Sequence, residues 1–209
     1  MRDREHNTRD GSGFNRRDFL KGSGAAVAAT AMATTVPESS TAAAPGSRKV
    51  VAAGPTNVTL NVNGKNHTLR LEPRAVLLDV LRNDLDLTGC KRVDDRTATG
   101  ADTVLIDGKA VMASSRLAID CEGQKIVTIE SLTGDGPVDE VIAGFVKHDA
   151  SQCGFCTPGF VMAVKGLLIK HPHATLDQIR EGLGDNVCRC GTYHGIIRCA
   201  LELAKKGGA

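Results

Sequence analysis

Two short stretches decide the reading of this chain: Q-C-G-F-C-T-P-G at residues 152–159 and N-V-C-R-C-G at residues 186–191, with 31 residues between Cys156 and Cys188. Side chains two residues apart on an extended backbone point the same way, so Cys188 and Cys190 are expected to hold one metal together. The C-x-x-C turn is expected to do the same for Cys153 and Cys156. Four thiolates in two such pairs are what a two-iron, two-sulfide cluster requires. Structural zinc also uses C-x-x-C pairs, although the C-x-C bite is tight for a tetrahedral ion. A redox-active dithiol at Cys153 and Cys156 would need a βαβ setting, which the flanking pattern does not offer. Spacing alone leaves iron–sulfur and zinc open.

The 209-residue chain has no Trp, one Tyr and five Phe, so its cores must be aliphatic. Its net charge is +2, and residues 1–33, with six Lys and Arg against four Asp and Glu, account for it. The remainder is neutral, with no basic stripe to suggest nucleic acid. Nothing after residue 50 approaches the roughly 20 apolar residues of a membrane span.

The first forty-odd residues read as an address. Asn15-Arg16-Arg17-Asp18-Phe19-Leu20-Lys21 resembles the twin-arginine export signal. The weakly apolar run from Gly22 to Pro37 suits a signal core, with cleavage after Ala31-Met32-Ala33 or, less well because Pro45 follows, after Ala42 to Ala44. Residues 1–47 are therefore assigned to signal and linker, and the destination is periplasmic or extracytoplasmic. Twin-arginine export carries folded proteins, the route needed for a cofactor inserted before translocation. The seven cysteines are then no disulfide framework, despite the oxidising destination.

Past the leader, Val58, Leu60 and Val62 alternate with polar residues, Asn63-Gly64 supplies a hairpin turn, and His67, Leu69 and Leu71 alternate on the return. Pro73 is expected to open a helix with Val76, Leu77, Val80 and Leu81 on one face. Thr103–Ile106 and Ile126–Ile129 read as further strands. The loop-forming run Thr133-Gly134-Asp135-Gly136-Pro137 marks a boundary. Beyond it the period is helical. Val138, Val141, Ile142 and Phe145 form a stripe, Pro158 opens a helix through Ile169, Thr175 and Gln178 have capping-box spacing for a helix to about Leu183, and a last helix covers Gly195 to Lys205.

Q-C-G-F-C-T-P-G followed by N-V-C-R-C-G-T-Y-H-G resembles the iron–sulfur subunits of the xanthine oxidase and aldehyde oxidoreductase family of molybdenum hydroxylases. The G-T-Y ending is most similar to the isoquinoline oxidoreductase-like bacterial branch. Thr88-Gly89-Cys90-Lys91, Val104 to Gly108 and Cys121-Glu122-Gly123 add to a resemblance that runs from about Thr56 to Ala204. It implies an α+β fold: a β-grasp ferredoxin-like domain over residues 48–132, then a four-helix [2Fe-2S]-binding domain over 133–209. It further implies Cys153, Cys156, Cys188 and Cys190 as cluster ligands. Gln152 would hydrogen-bond the pterin of a molybdenum cofactor carried by a separate large subunit, and Cys190 would be the ligand nearest that pterin. Gly154, Gly159 and Gly191 would allow close backbone approach and amide donation to cluster sulfur. The chain would be a non-catalytic electron-transfer subunit of an aldehyde or N-heterocycle oxidoreductase.

One departure stands out. The family carries a second cluster in the β-grasp domain, held by a cysteine after Thr-Gly, a C-G-x-C pair and a later cysteine. Here Cys90 keeps the first position, the pair falls on Thr99-Gly100-Ala101-Asp102, and the last position falls on Ser114. The charged loop between Cys90 and Thr99 is also about four residues longer than the family pattern. Losing three of four soft thiolates should abolish this cluster. Electrons would then leave from the retained cluster to an external acceptor, a cytochrome or a quinone-linked carrier. The rival expectation is an exported structural zinc or assembly module, which would be colourless. Cys121, on an alternating strand, and Cys199, on a helical stripe, read as core residues; His171, His173 and His194 are assigned to no metal. Replacing Arg16 and Arg17 by lysine is expected to hold the precursor in the cytoplasm, read by fractionation and immunoblot; unchanged extracytoplasmic recovery contradicts the signal assignment.

Overall fold

The computed structural model describes residues 51, 53–93, 98–134 and 136–208. The export signal and residues 94–97 of the charged loop lie outside them. Strands β1 (Thr56–Val62) and β2 (Lys65–Leu71) form the expected antiparallel hairpin, with Val58, Leu60 and Val62 buried. Asn63 and Gly64 take φ of 50° and 77°, the positive values that a tight two-residue turn needs.

Pro73 does not open the following helix. Val76 is extended and bridges Leu117, and the amide of Leu77 donates to the Arg116 carbonyl at 2.8 Å. The helix, α1, therefore begins with the turn Leu77–Asp79 and widens into a π-turn over Val80–Asp84. A second hairpin, β3 (Thr103–Ile106) with β4 (Lys109–Met112), turns on Asp107 and Gly108 at φ 50° and 78°. β5 (Lys125–Val127) ends two residues earlier than expected, because Ile129–Leu132 winds into a 3₁₀ turn. It lies parallel to β1 and antiparallel to β3, giving the mixed order β2-β1-β5-β3-β4. This is the β-grasp arrangement, with Leu77, Leu78 and Leu81 of α1 in one core with Leu60, Ile106 and Ile126. Cys121 is fully buried there, but on a 3₁₀ turn (Ala118–Cys121) rather than a strand.

Four helices follow: α2 (Glu140–Lys147), α3 (Thr157–Lys170), α4 (Leu176–Gly182) and α5 (Tyr193–Lys206). Val138, expected at the head of the α2 stripe, precedes the N-cap and is exposed. The cap is Asp139: one oxygen accepts from the Val141 amide at 3.0 Å and the other from Lys165 of α3 at 2.7 Å. Thr175 and Gln178 close the capping box in both directions. On α5, Glu202 gathers Lys147 and His148 from the end of α2, each at 2.7 Å, and their hydrogen bonds hold its carboxyl down to about 2. Phe145, Phe160, Val164, Ile179, Ile196 and Leu203 share the helical core, and Cys199 is buried within it.

α3 is the hub. Nine of its 14 residues are buried, which leaves it little solvent face. Its approach to the sheet depends on two glycines seven residues, or two turns, apart. A Cβ at Gly159 would strike the Gly100 carbonyl and the Ala101 backbone; one at Gly166 would lie 2.9 Å from Leu105 and Ala110 of the β3–β4 hairpin. Gly→Ala inside a helix ordinarily stabilises by about 0.5–1 kcal/mol. Gly159→Ala is expected to reverse that sign and cost about 1–3 kcal/mol through overpacking, measured by denaturant unfolding of the mature chain. A neutral or stabilised variant contradicts the docking described.

Candidate metal centre

Both cysteine stretches lie at the head of a long helix. Cys156 is itself the N-cap of α3, with Thr157 and Pro158 in the first turn; Cys188 and Cys190 precede Thr192, the N-cap of α5. Two helix N-termini thus flank the thiols, and their partial positive charge favours an anionic group there. Gly154 and Gly191 take φ of 80° and 79°, which lets each loop reverse immediately beside a cysteine.

Thiols of the two loops lie near enough to shift one another, Cys153 with Cys190 and Cys156 with Cys188. Within each pair the proton is unevenly held. Burial, then the hydrogen bond to Cys188 and that thiol's charge, push Cys156 up to about 12. Burial raises Cys188 as well, but hydrogen bonds from the hydroxyl and amide of Thr192 outweigh it and bring the thiol down to about 7. In the other pair, Cys153 is lowered by the Phe155 amide and its hydrogen bond with Cys190. Cys190 is lowered by the backbone of Cys153, but the Cys153 thiol, burial and the neighbouring sulfur charges raise it overall.

Sequence reasoning missed three residues that hold this arrangement. Thr192 places its Oγ1 3.2 Å from the Cys188 sulfur, with its amide at 3.5 Å. The Tyr193 hydroxyl accepts the Cys188 amide at 2.8 Å, while its ring stands edge-on to Phe160 of α3, centroids 6.0 Å apart. Asn186 is buried and donates to the carbonyl of Gly100 at 2.8 Å. A hydroxyl four residues after a cysteine at a helix N-cap was the available signal for Thr192. Gln152 is exposed beside Cys153, as are Cys153 and Cys190 themselves, whereas Cys188 is buried. Gly159 allows a close backbone approach: its bare Cα faces the Gly100 carbonyl, where a Cβ would clash.

The β-grasp positions expected to have lost a cluster also come together. Cys90 is buried, and its thiol is pushed up to about 12 by burial and then by Glu130 and Asp102. The Asp102 carboxylate accepts the Ser114 amide at 2.6 Å, and the Ser114 hydroxyl oxygen is buried with no hydrogen-bond partner. Arg82 donates to the carbonyls of Cys90 and Thr88, at 2.5 and 2.9 Å. Thr99 accepts the Val187 amide through its carbonyl at 2.9 Å.

Four cysteines on two loops at helix heads supply the donor set of a two-iron cluster.

Comparison with known proteins agrees with this chemistry. Residues 128–201 match the family described as the [2Fe-2S] binding domain, and residues 13–33 match the twin-arginine translocation pathway signal sequence, which addresses the chain to export. The chain is 38% identical to the aldehyde oxidoreductase iron–sulfur-binding subunit PaoA of Escherichia coli K12, over 91% of this chain and 88% of that one. It is 39% identical to the nicotine 6-hydroxylase small subunit of Paenarthrobacter nicotinovorans, over 69% and 87%. In three dimensions it superposes on a chain of quinoline 2-oxidoreductase from Pseudomonas putida 86 with a TM-score of 0.68 and 33% identity, covering 75% of this chain and all of the other. With these relatives covered over most of their length, the chain belongs to the iron–sulfur subunits of the molybdenum hydroxylase family.

Proposed function

We propose that this chain is the electron-transfer subunit of an exported molybdenum hydroxylase, taking electrons from a molybdopterin centre on a partner large subunit and passing them to an external acceptor. The reading rests on one observation above all: the two cysteine loops stand at the N-termini of α3 and α5, where their thiols shift one another. Cys153, Cys156, Cys188 and Cys190 would hold a [2Fe-2S] cluster, which when bound supplies reversible one-electron chemistry. Thr192 stabilises the thiolate form of Cys188, and Tyr193 fixes the Cys188 amide, so that the buried ligand is oriented before metal arrives. Ligation requires the cysteines as thiolates, which couples loading to pH and to folding of residues 133–209.

The partner would dock on the face where Gln152, Cys153 and Cys190 are exposed, with Gln152 and Cys190 turned to the pterin. Exposed Phe155 and Val187 supply apolar area on the same two loops. Residues 48–132 would serve as a β-grasp domain without a cluster of its own. In support, the lone Cys90 is a buried, protonated thiol among carboxylates, and two of the lost ligand positions, Asp102 and Ser114, are bonded to each other. A haem or quinone-linked carrier would then accept electrons close to the helical domain. Aldehydes and N-heterocycles are the substrate classes that the relatives' names suggest.

Cys→Ser at Cys153, Cys156, Cys188 or Cys190 is expected to bleach the visible absorption and lower the thermal midpoint, while Cys121→Ser and Cys199→Ala keep the colour. An intact spectrum in any of the first four removes that residue from the site. Affinity purification from the native host is expected to recover a molybdopterin-binding large subunit; recovery of the chain alone contradicts the complex.

A further inference from the structure

Resting on the reading of Cys188 and Cys190 as ligands, we infer that Asn186 is a positioning residue for their loop, and that the Gly100 carbonyl of the β-grasp domain is the fixed point it works against. Asn186 is 7% exposed. Its Nδ2 donates to the Gly100 carbonyl at 2.8 Å and reaches Thr103 Oγ1 at 3.3 Å. That carbonyl also accepts the Thr103 hydroxyl at 2.7 Å and the Thr103 amide at 3.2 Å. One position later, the Val187 amide donates to the Thr99 carbonyl at 2.9 Å.

These bonds land immediately before Cys188, whose own amide is held by Tyr193. The chain entering the thiol loop is thus fixed on both sides. It is fixed by backbone and amide contacts, not by apolar burial, since the Val187 side chain is 46% exposed. A buried amide donor left without its acceptor is costly, so this register has no cheap alternative. The receiving segment, 99–103, is the one that carries the displaced C-G-x-C positions, and Asp102 secures it to Ser114. A segment that has lost its thiolates therefore acts as the anchor for the thiols that remain.

Outer hydrogen bonds orient metal ligands and tune the metal, and losing one typically costs 10–100-fold in metal affinity. The full-length mature chain, loaded with iron in its host, is compared with Asn186→Ala, the isosteric Asn186→Asp, Gly100→Ala and, as a control on the exposed face of α2, Val146→Ala. Gly100 has φ +64°, and a Cβ there would sit 2.5 Å from Asn186 Nδ2, so Gly100→Ala dislodges the side chain without altering it. Iron loss to excess chelator is expected to be about 10-fold faster in the first three, with a shifted reduction potential. Val146→Ala touches neither loop and should match the parent in both. Asn186→Asp behaving as the parent overturns the inference, because a packing role needs only the volume. Gly100→Ala leaving rate and potential unchanged overturns it equally. Should the Asn186 variants fail to fold, amide exchange in the parent decides: protection at Val187 and Cys188 supports the clamp, and free exchange there overturns it. A parent chain without cluster colour instead overturns the ligand reading beneath it.

Discussion

α3 lies against the sheet through bare backbone at two points, and both halves of the candidate site depend on that contact. Because Gly159 meets the Gly100 carbonyl directly, the first turn of α3, and with it the Cys156 cap, is set in depth against the β-grasp domain. The next residue, Phe160, carries the edge of Tyr193, a pair of the kind that contributes about 0.5–1.5 kcal/mol. Tyr193 in turn holds the Cys188 amide. One helix end therefore places two loops that are far apart in sequence.

The β-grasp domain shows how a loop of this kind is held by ordinary hydrogen bonds. Glu130 accepts the Gly89 amide at 2.8 Å, Arg82 ties the Thr88 and Cys90 carbonyls, and the Lys91 amide donates to Ala101 at 3.1 Å. A hydrogen bond of this sort is worth about 1 kcal/mol net, so several together can hold the turn around Cys90. The exception is the Ser114 hydroxyl, buried without a partner, a place where polar satisfaction is incomplete. The domain keeps its fold through the aliphatic core of Val58, Leu60, Leu77 and Ile126, in which the Cys90 side chain is also packed.

Much of this was legible in the sequence, for identifiable reasons. The Asn63-Gly64 turn, the Thr175–Gln178 capping box and Pro158 at the start of α3 are local signals, and local chemistry decided them. β4 escaped because its strand is short and half exposed, although Asp107-Gly108 announces the turn before it. The start of α1 was misread because a tertiary bridge to Leu117 outweighs the preference of Pro73 for a helix start. Cys121 alternates with Leu117 and Ile119 as a strand would, yet a 3₁₀ turn buries it just as fully. The cysteine motifs named the site, but the roles of Thr192 and Tyr193 and the reach of Asn186 to Gly100 arise from packing and from contacts across as many as 86 residues, which spacing does not encode.

The central claim is that four cysteines in this chain hold one two-iron cluster and that the β-grasp domain holds none. Iron and acid-labile sulfide per chain, measured on the native purified protein together with EPR of its reduced state, address it directly. The account predicts about two iron and two sulfide per chain, as a Cys₄ two-iron site requires, and a single type of signal. About four iron per chain with two distinct signals would contradict it, as would zinc in place of iron.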